Sequence, residues 1–459
     1  MGIPSIGYRV QTIKQNFMHT LGLPFHKMLP PARMDAALQA EEVTYRHRVF
    51  SPPVTVWAFL SQVLDKDKTC KNAVSRILSF LASQGEALPS PDPSAYSQAR
   101  QRLPEGLVQR LCLQSADRLE AQVSSRQLWK GRSVQIIDGS TVLLPDTAQN
   151  QAAYPQHGNQ KPGYGFPIVR IVGLFSLVTG AMSNLLMGTW KTHELPLARP
   201  LYATLRRGTI VLGDALFGSY ADFWLLGHHR LDGLFQLYGA RKTDFRRGQR
   251  LDKNDHLATW TKPKQRSQGV AADLYAQLAP TQIVRELRYT IQRPGYRART
   301  VTLVTSLLDP LAYPPQELGQ LFGLRWQVEL DLRHLKTTMQ MECLRTKTPQ
   351  MVRKELGIHW LAYNLIRALM WEAGMRHQVD PIRLSVQASI QHLLNFMPQL
   401  VPAGRRKRRA LTDILLGLIA REQLPNRNRP GEPRVRKRRP KAYPLMQEPR
   451  HQLRKKRAA

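Results

Sequence analysis

Three acids in this chain have the residue type and surroundings that phosphodiester chemistry needs: Asp138, Asp214 and Glu329. Such chemistry uses hard oxygen ligands that converge on paired Mg²⁺ ions, roughly 3.5–4 Å apart, with Mn²⁺ an acceptable substitute. Asp138 closes the β-rich run Val134-Gln135-Ile136-Ile137, and Gly139-Ser140 suggests a backbone turn immediately after it. Asp214 repeats that placement behind Ile210-Val211-Leu212-Gly213. Taken singly, either aspartate serves as well for a strand-end turn or a helix N-cap. Two of them, each after a buried-looking strand in a basic chain, invite the chemical reading.

Glu329 adds a third carboxylate on a different kind of element. Helical spacing across Leu321 to Lys336 puts Arg325, Glu329, Arg333 and Lys336 on one face. Leu324, Val328, Leu332 and Leu335 fall on an adjoining apolar stripe that can seat the helix on a sheet. A solvated helix with i,i+4 ion pairs would look similar. Three cations around one acid make more sense where phosphates also arrive. Asp331 points elsewhere and is the weaker ligand candidate. Glu194, just before a helix, reads as a capping acid, with a supporting role at the site as the alternative. Trp190 and Trp326 read as packing residues, and His256, His334 and His359 lack ligand spacing.

The elements that must position these acids change character along the chain. From Ile13 to about Gln122 apolar residues recur at helical spacing, clearest in Val54 to Leu64, Lys71 to Leu81 and Leu107 to Leu119. Ser94, after a proline-rich turn, is a candidate N-cap. Strands are expected at Ser133 to Ile137, Ile168 to Val178, Ala181 to Met187, Thr209 to Gly213 and Leu234 to Tyr238. Thr179-Gly180 makes the hairpin turn between the second and third. Helices are expected at His193 to Arg206 and Tyr220 to Leu226. The polar stretch 241–307 reads as an insertion with strands near Ile283 to Ile291 and Val301 to Leu307. Long helices then follow at Gln316 to Met339 and, largely buried, Leu356 to Glu372.

Charge narrows the partner. The chain has 459 residues and 67 Lys plus Arg against 33 Asp plus Glu, a formal charge of +34. Self-repulsion of that size favours a polyanion partner, and nucleic acid is the usual one. From residue 401 onward 19 basic residues face 4 acidic ones. Arg405 to Arg409, Arg434 to Arg439 and Arg454 to Arg457 therefore read as a solvated, largely unstructured arm that meets phosphates. Three scattered cysteines without CxxC spacing argue against zinc or a disulfide framework. No signal peptide or membrane span is expected, so a soluble, intracellular protein is the expected setting.

The segment Phe322-Gly-Leu-Arg325-Trp-Gln-Val-Glu329-Leu-Asp-Leu-Arg-His-Leu-Lys336 resembles the Y-x2-R-x3-E-x6-K signature of IS-four-type bacterial insertion-sequence transposases. Asp138-Gly139-Ser140-Thr141 resembles that family's first catalytic motif, and Gly213-Asp214-Ala215-Leu216-Phe217-Gly218-Ser219-Tyr220 its second. The order agrees, with 76 positions between the aspartates and 115 more to the glutamate. The resemblance implies an α/β fold with an RNase H-like catalytic core, interrupted by a β-rich insertion and preceded by a helical domain. Its boundaries would be 1–125 for a helical DNA-binding domain, 126–400 for the core with its insertion at about 241–307, and 401–459 for the basic arm. It further implies that Asp138, Asp214 and Glu329 are a DDE triad binding two Mg²⁺, with Asp138 bridging. Arg325 and Lys336 would contact phosphates of the transposon end, and Arg333 shares their face. Phe322 stands where the signature has tyrosine, so one phosphate contact is lost or supplied elsewhere. An aromatic of the insertion, Trp260, Tyr289 or Tyr296, would stack a flipped base. The implied activity is cut-and-paste transposition by a homodimer on double-stranded DNA, joining terminal inverted repeats to target DNA. The alternatives are an RNase H-like nuclease without strand transfer and a catalytically decayed DNA-binding relative.

Overall fold

The computed structural model describes residues 25–45, 48–83, 85–267, 269–291, 299–425, 446–449, 452–453 and 455–456. The chain divides into two compact units. One holds residues 128–177, 185–329 and 425–459; the other holds 1–127, 178–184 and 330–424.

The first unit is organised by a sheet of nine strands. They are β1 (Val134–Leu143), β2 (Ile168–Ser176), β3 (Met182–Thr189), β4 (Ile210–Gly213), β5 (Asp232–Gln236), β6 (Gln249–Asp252), β7 (Asp255–Thr261), β8 (Thr281–Ile291) and β9 (Arg299–Thr305). Their order is β3-β2-β1-β4-β5-β9-β8-β7-β6. β1 runs antiparallel to β2 and parallel to β4, and β4 runs parallel to β5. β4 and the middle of β5 are buried throughout, as expected of parallel strands covered on both faces. Gly180, at φ +66°, makes the turn between β2 and β3, a conformation that favours glycine.

Two expectations for this unit change. β1 does not stop at Asp138 but continues to Leu143, with Asp138 opposite Gly173 and Gly139 opposite Val172. Its parallel pairing with β4 ends at Ile136↔Leu212, while β2 supplies ladder partners for the rest. Gly139 therefore makes no turn. The stretch 241–307 supplies β6 to β9, which extend the same sheet, because β9 pairs antiparallel with the open edge of β5. Trp260 and Val284 accordingly share one buried cluster with Ile137, Val211 and Phe235.

The expected helix Gln316 to Met339 is three pieces: Pro315–Gly323, Trp326–Arg333 and a π-helical turn His334–Thr338. Between the first two, i→i+3 bonds replace i→i+4 bonds, among them Arg325 N to Phe322 O and Gln327 N to Leu324 O at 3.0 and 2.9 Å. Gly323 favours the break, and Leu324 is left 50 % exposed rather than joining the apolar stripe with Val328, Leu332 and Leu335. The π turn interrupts the periodicity that placed Lys336 on the face of Glu329.

The second unit is helical. The expected N-terminal helices appear as Pro52–Leu64, Cys70–Ser83 and Glu105–Glu120. The helix after the proline-rich turn starts at Ser94 itself, with Pro93 in the cap position, and Asp92 accepts the Ser94 N–H at 2.7 Å. These helices share the unit with residues 330–424, which contiguous boundaries had assigned to the catalytic core. The physical reason is the helix Pro349–His377, buried on nearly every side from Met351 to Gly374. It packs against Glu105–Glu120 and Pro52–Leu64. The basic segment after residue 401 also begins ordered: Arg405–Arg421 is a helix whose Leu415, Leu416 and Ile419 are buried. Arg434 to Arg439, Arg454 and Arg457 lie outside the described residues. Among the described residues, no helix is long and apolar enough to cross a membrane.

Thr348 caps the long helix by accepting the Met351 N–H. Thr348→Ala is expected to lower stability by about 1 kcal/mol, with recovery in Thr348→Ser. A shift in the urea midpoint at unchanged m-value checks this.

Candidate active site

Asp138 sits mid-sheet on β1, half-buried, and its Oδ1 accepts the Gly139 N–H at 2.8 Å. Asp214 follows the last residue of β4, the strand beside it, and its Oδ1 accepts the Leu216 N–H at 2.8 Å. That local ring pins the carboxylate at the mouth of the loop leading to the helix Tyr220–His228. Ser219 caps this helix by accepting the Asp222 N–H. The fully buried Asp222 takes Arg199 Nε at 3.0 Å, clamping it to the helix Glu194–Tyr202.

Burial pushes the Asp138 carboxyl up to about 6. The charges of Asp214 and Glu194 add to the rise, while the Gly139 N–H and the Arg325 guanidinium oppose it. Glu194 is also raised, first by burial, and it feels Asp214 against the relief from Arg170. Three carboxylates from β1, the end of β4 and the start of a helix thus stand within electrostatic reach of one another.

Glu329 is 42 % exposed and pairs with Arg325 at 3.4 Å. Arg325 also acts on Asp138, so it stands in contact with Glu329 and in electrostatic reach of one of the two aspartates. Its guanidinium lies 5.8 Å from the ring centres of both Phe322 and Trp326. Phe322 is buried, whereas Trp326, expected to pack, is 42 % exposed. Arg333 and Lys336 belong to the helical unit, Arg333 exposed and Lys336 half-buried in the π turn. Of the three cations expected around Glu329, Arg325 is the one in contact among the described residues. Asp331 is fully buried and faces Arg367 at 3.5 Å within the helical unit, which removes it as a ligand candidate.

The candidate ligands are all carboxylates, a donor type that suits a hard divalent cation, and the charge of Asp214 acts on Asp138. Among the described residues no three His, Cys, Asp or Glu groups already stand at metal-binding spacing.

Beside the Asp214 loop a cavity of about 360 Å³ is lined by Leu216, Ser219, Tyr238, Arg241, Trp260 and Tyr275. Trp260 donates to Glu286 at 2.7 Å and carries Arg241 over its ring at 3.8 Å. Tyr289 packs against Gly319, and Tyr296 lies outside the described residues.

Residues 129–365, which include all three acids, match the family described as Transposase DDE domain. Residues 21–112 match Insertion element 4 transposase N-terminal. The transposase InsG for insertion sequence element IS4 of Escherichia coli (strain K12) is 30 % identical over 411 residues, 88 % of this chain and 88 % of that protein. The putative transposase InsZ of the same organism is 30 % identical over 127 residues, 28 % of this chain and 42 % of that protein. The piggyBac transposase in a synaptic complex with hairpin DNA aligns at a TM-score of 0.40 and 13 % identity, over 91 % of this chain and 86 % of that one. Sheet, acids and domain match together define the class, a DDE transposase. Within that class the chain belongs to the IS4-type insertion-sequence transposases.

Proposed function

We propose that this transposase cuts the terminal inverted repeats of its element and joins them to target DNA, with Asp138, Asp214 and Glu329 as the catalytic acids. The observation that carries the reading is the placement of Asp138 on β1 and Asp214 at the end of the adjacent parallel strand, with Arg325, the partner of Glu329, in electrostatic reach of Asp138. The order β3-β2-β1-β4-β5, with β2 antiparallel to β1 and β4 and β5 parallel to it, supports an RNase H-like core.

Asp138, Asp214 and Glu329 would hold Mg²⁺, or Mn²⁺ in its place. When bound, the ions supply activation of the attacking oxygen and neutralisation of the leaving one. The protein's part is placement. The backbone bonds to Asp138 and Asp214 hold their carboxylates with one oxygen engaged and the other open. Arg325 steers Glu329 and presents its remaining N–H donors to a phosphate. Lys336, Arg333 and the Phe322 position are the further DNA contacts of this reading. Trp260 is the aromatic it favours for a flipped base, because it lines the cavity beside Asp214. Two ends must be joined in one event, so the working form is a dimer on DNA.

The test uses DNA carrying the inverted repeats that flank the coding region. Mg²⁺-dependent cleavage at their ends, followed by transfer of a precut end into a plasmid, is the expected result. Cleavage without transfer would favour the plain nuclease; binding without either would favour the decayed relative. Arg325→Ala is expected to weaken end binding by about tenfold and to reduce the salt slope by about one phosphate contact. Binding titrations across salt concentrations check it.

A further inference from the structure

We propose that the buried Asp331–Arg367 pair positions Glu329, so that both residues serve the reaction without touching metal or DNA. This rests on the reading of Glu329 as a cation ligand. The helix that carries Glu329, Trp326–Arg333, has only eight residues. The break at Leu324 precedes it and the π turn His334–Thr338 follows directly, so it takes no register from a longer regular helix on either side. Among the described residues Glu329 makes one ion pair, the contact with Arg325 at 3.4 Å, and its side chain is exposed. Its placement is therefore set by the backbone that bears it. Asp331 lies two residues on, about 200° around the helix, and points inward where Glu329 points outward.

Nη2 of the buried Arg367 stands 3.5 Å from Asp331 Oδ1. Arg367 belongs to the long helix Pro349–His377 and is itself confined. Gly180 lacks a side chain whose Cβ would lie 1.4 Å from Arg367 Nη2 and 2.1 Å from Cζ, so the guanidinium fills that space. One turn earlier, Tyr363 donates its hydroxyl to Gly180 O at 3.0 Å, and Asn364 Nδ2 donates to Met182 O at the same distance. Two opposite charges withdrawn from water at this depth gain little stability over apolar side chains of similar volume. What the pair adds is register. Leu332 and Leu335 can tolerate a small rotation or slide of the helix, because apolar contact is not directional. Asp331 cannot, because the same movement strands two buried charges.

The experiment replaces the pair by apolar side chains in the full chain, Asp331→Leu with Arg367→Met, and thermal unfolding confirms that the variant is folded. Single-turnover cleavage of saturating end DNA and Mn²⁺ affinity by calorimetry are the two readings. The double variant is expected to bind end DNA as wild type does, to cleave it about 10- to 100-fold more slowly, and to bind Mn²⁺ more weakly by a similar factor. A pair that served stability alone would shift the unfolding temperature and leave both readings at wild-type values, which would overturn the proposal. Asp331→Asn keeps the size and removes the charge, and it gives the same readings should the double variant not fold. Added to Glu329→Gln, the double substitution should weaken Mn²⁺ binding no further, because the pair acts through that acid. A further loss in that background would overturn the role of the pair and leave Glu329 standing. Wild-type Mn²⁺ affinity and cleavage in Glu329→Gln would overturn the reading of Glu329 itself.

Discussion

Alanine at Asp138, Asp214 or Glu329 is expected to reduce end cleavage by at least about 10³-fold while leaving binding of the same DNA nearly intact. On the proposed reading each change removes an oxygen ligand of the cations, which a methyl group cannot replace. The folded frame should survive. Asp138 and Asp214 each make one local backbone bond, and Glu329 a single exposed pair with Arg325. Groups that act as one unit lose their effect together, so the Asp138→Ala, Asp214→Ala double variant should cut no more slowly than the worse single one. Single-turnover cleavage of a labelled end, alongside a binding titration, measures both quantities. Retained cleavage in all three single variants would falsify the assignment.

Asp138→Asn is expected to inactivate the enzyme and yet stabilise the metal-free fold. The Asp138 carboxyl rises from its usual 3.8 to about 6, so the native state holds that proton more tightly than the unfolded chain does. Its favourable contribution is complete below about pH 4 and is lost as pH rises through 6. Above that, the ionised group opposes folding by on the order of 2–3 kcal/mol. Asparagine keeps the shape without the charge. Its advantage over wild type should be near zero at pH 4 and grow to that size by pH 7. Urea unfolding at a series of pH values follows it. Saturating Mg²⁺ should raise wild-type stability and narrow the gap, because the ion relieves the same repulsion. A difference that is constant with pH would mean that the asparagine acts by another route.

Much of the frame was legible because it is written in short-range pattern. The helices Pro52–Leu64, Cys70–Ser83 and Glu105–Glu120 and the strands carrying Asp138 and Asp214 follow from apolar period, and Gly180 from the demand of a hairpin turn. Helical spacing also anticipated the Arg325–Glu329 contact, since four residues span one turn even across the break. The same reasoning failed for Lys336, because periodicity assumes an unbroken helix and says nothing of the break at Leu324 or the π turn at His334. It failed for residues 330–424 as well. A helix apolar on most sides announces that it is buried, but not which helices bury it.

Glu194 and Gly139 mark the same boundary at the site. The candidacy of Asp138, Asp214 and Glu329, the basic balance and the motif order were legible in the sequence alone, because residue type and local spacing suffice for them. Gly139 looked like a turn residue and Glu194 like a helix-start charge, and both readings are sound for a segment considered by itself. Only the tertiary structure, by keeping β1 straight past Asp138 and laying a helix start across it, decided that Gly139 lies in mid-strand and that its missing side chain leaves room for Glu194. Fifty-five positions separate the two residues, and nothing in local energetics reports a contact made at that range.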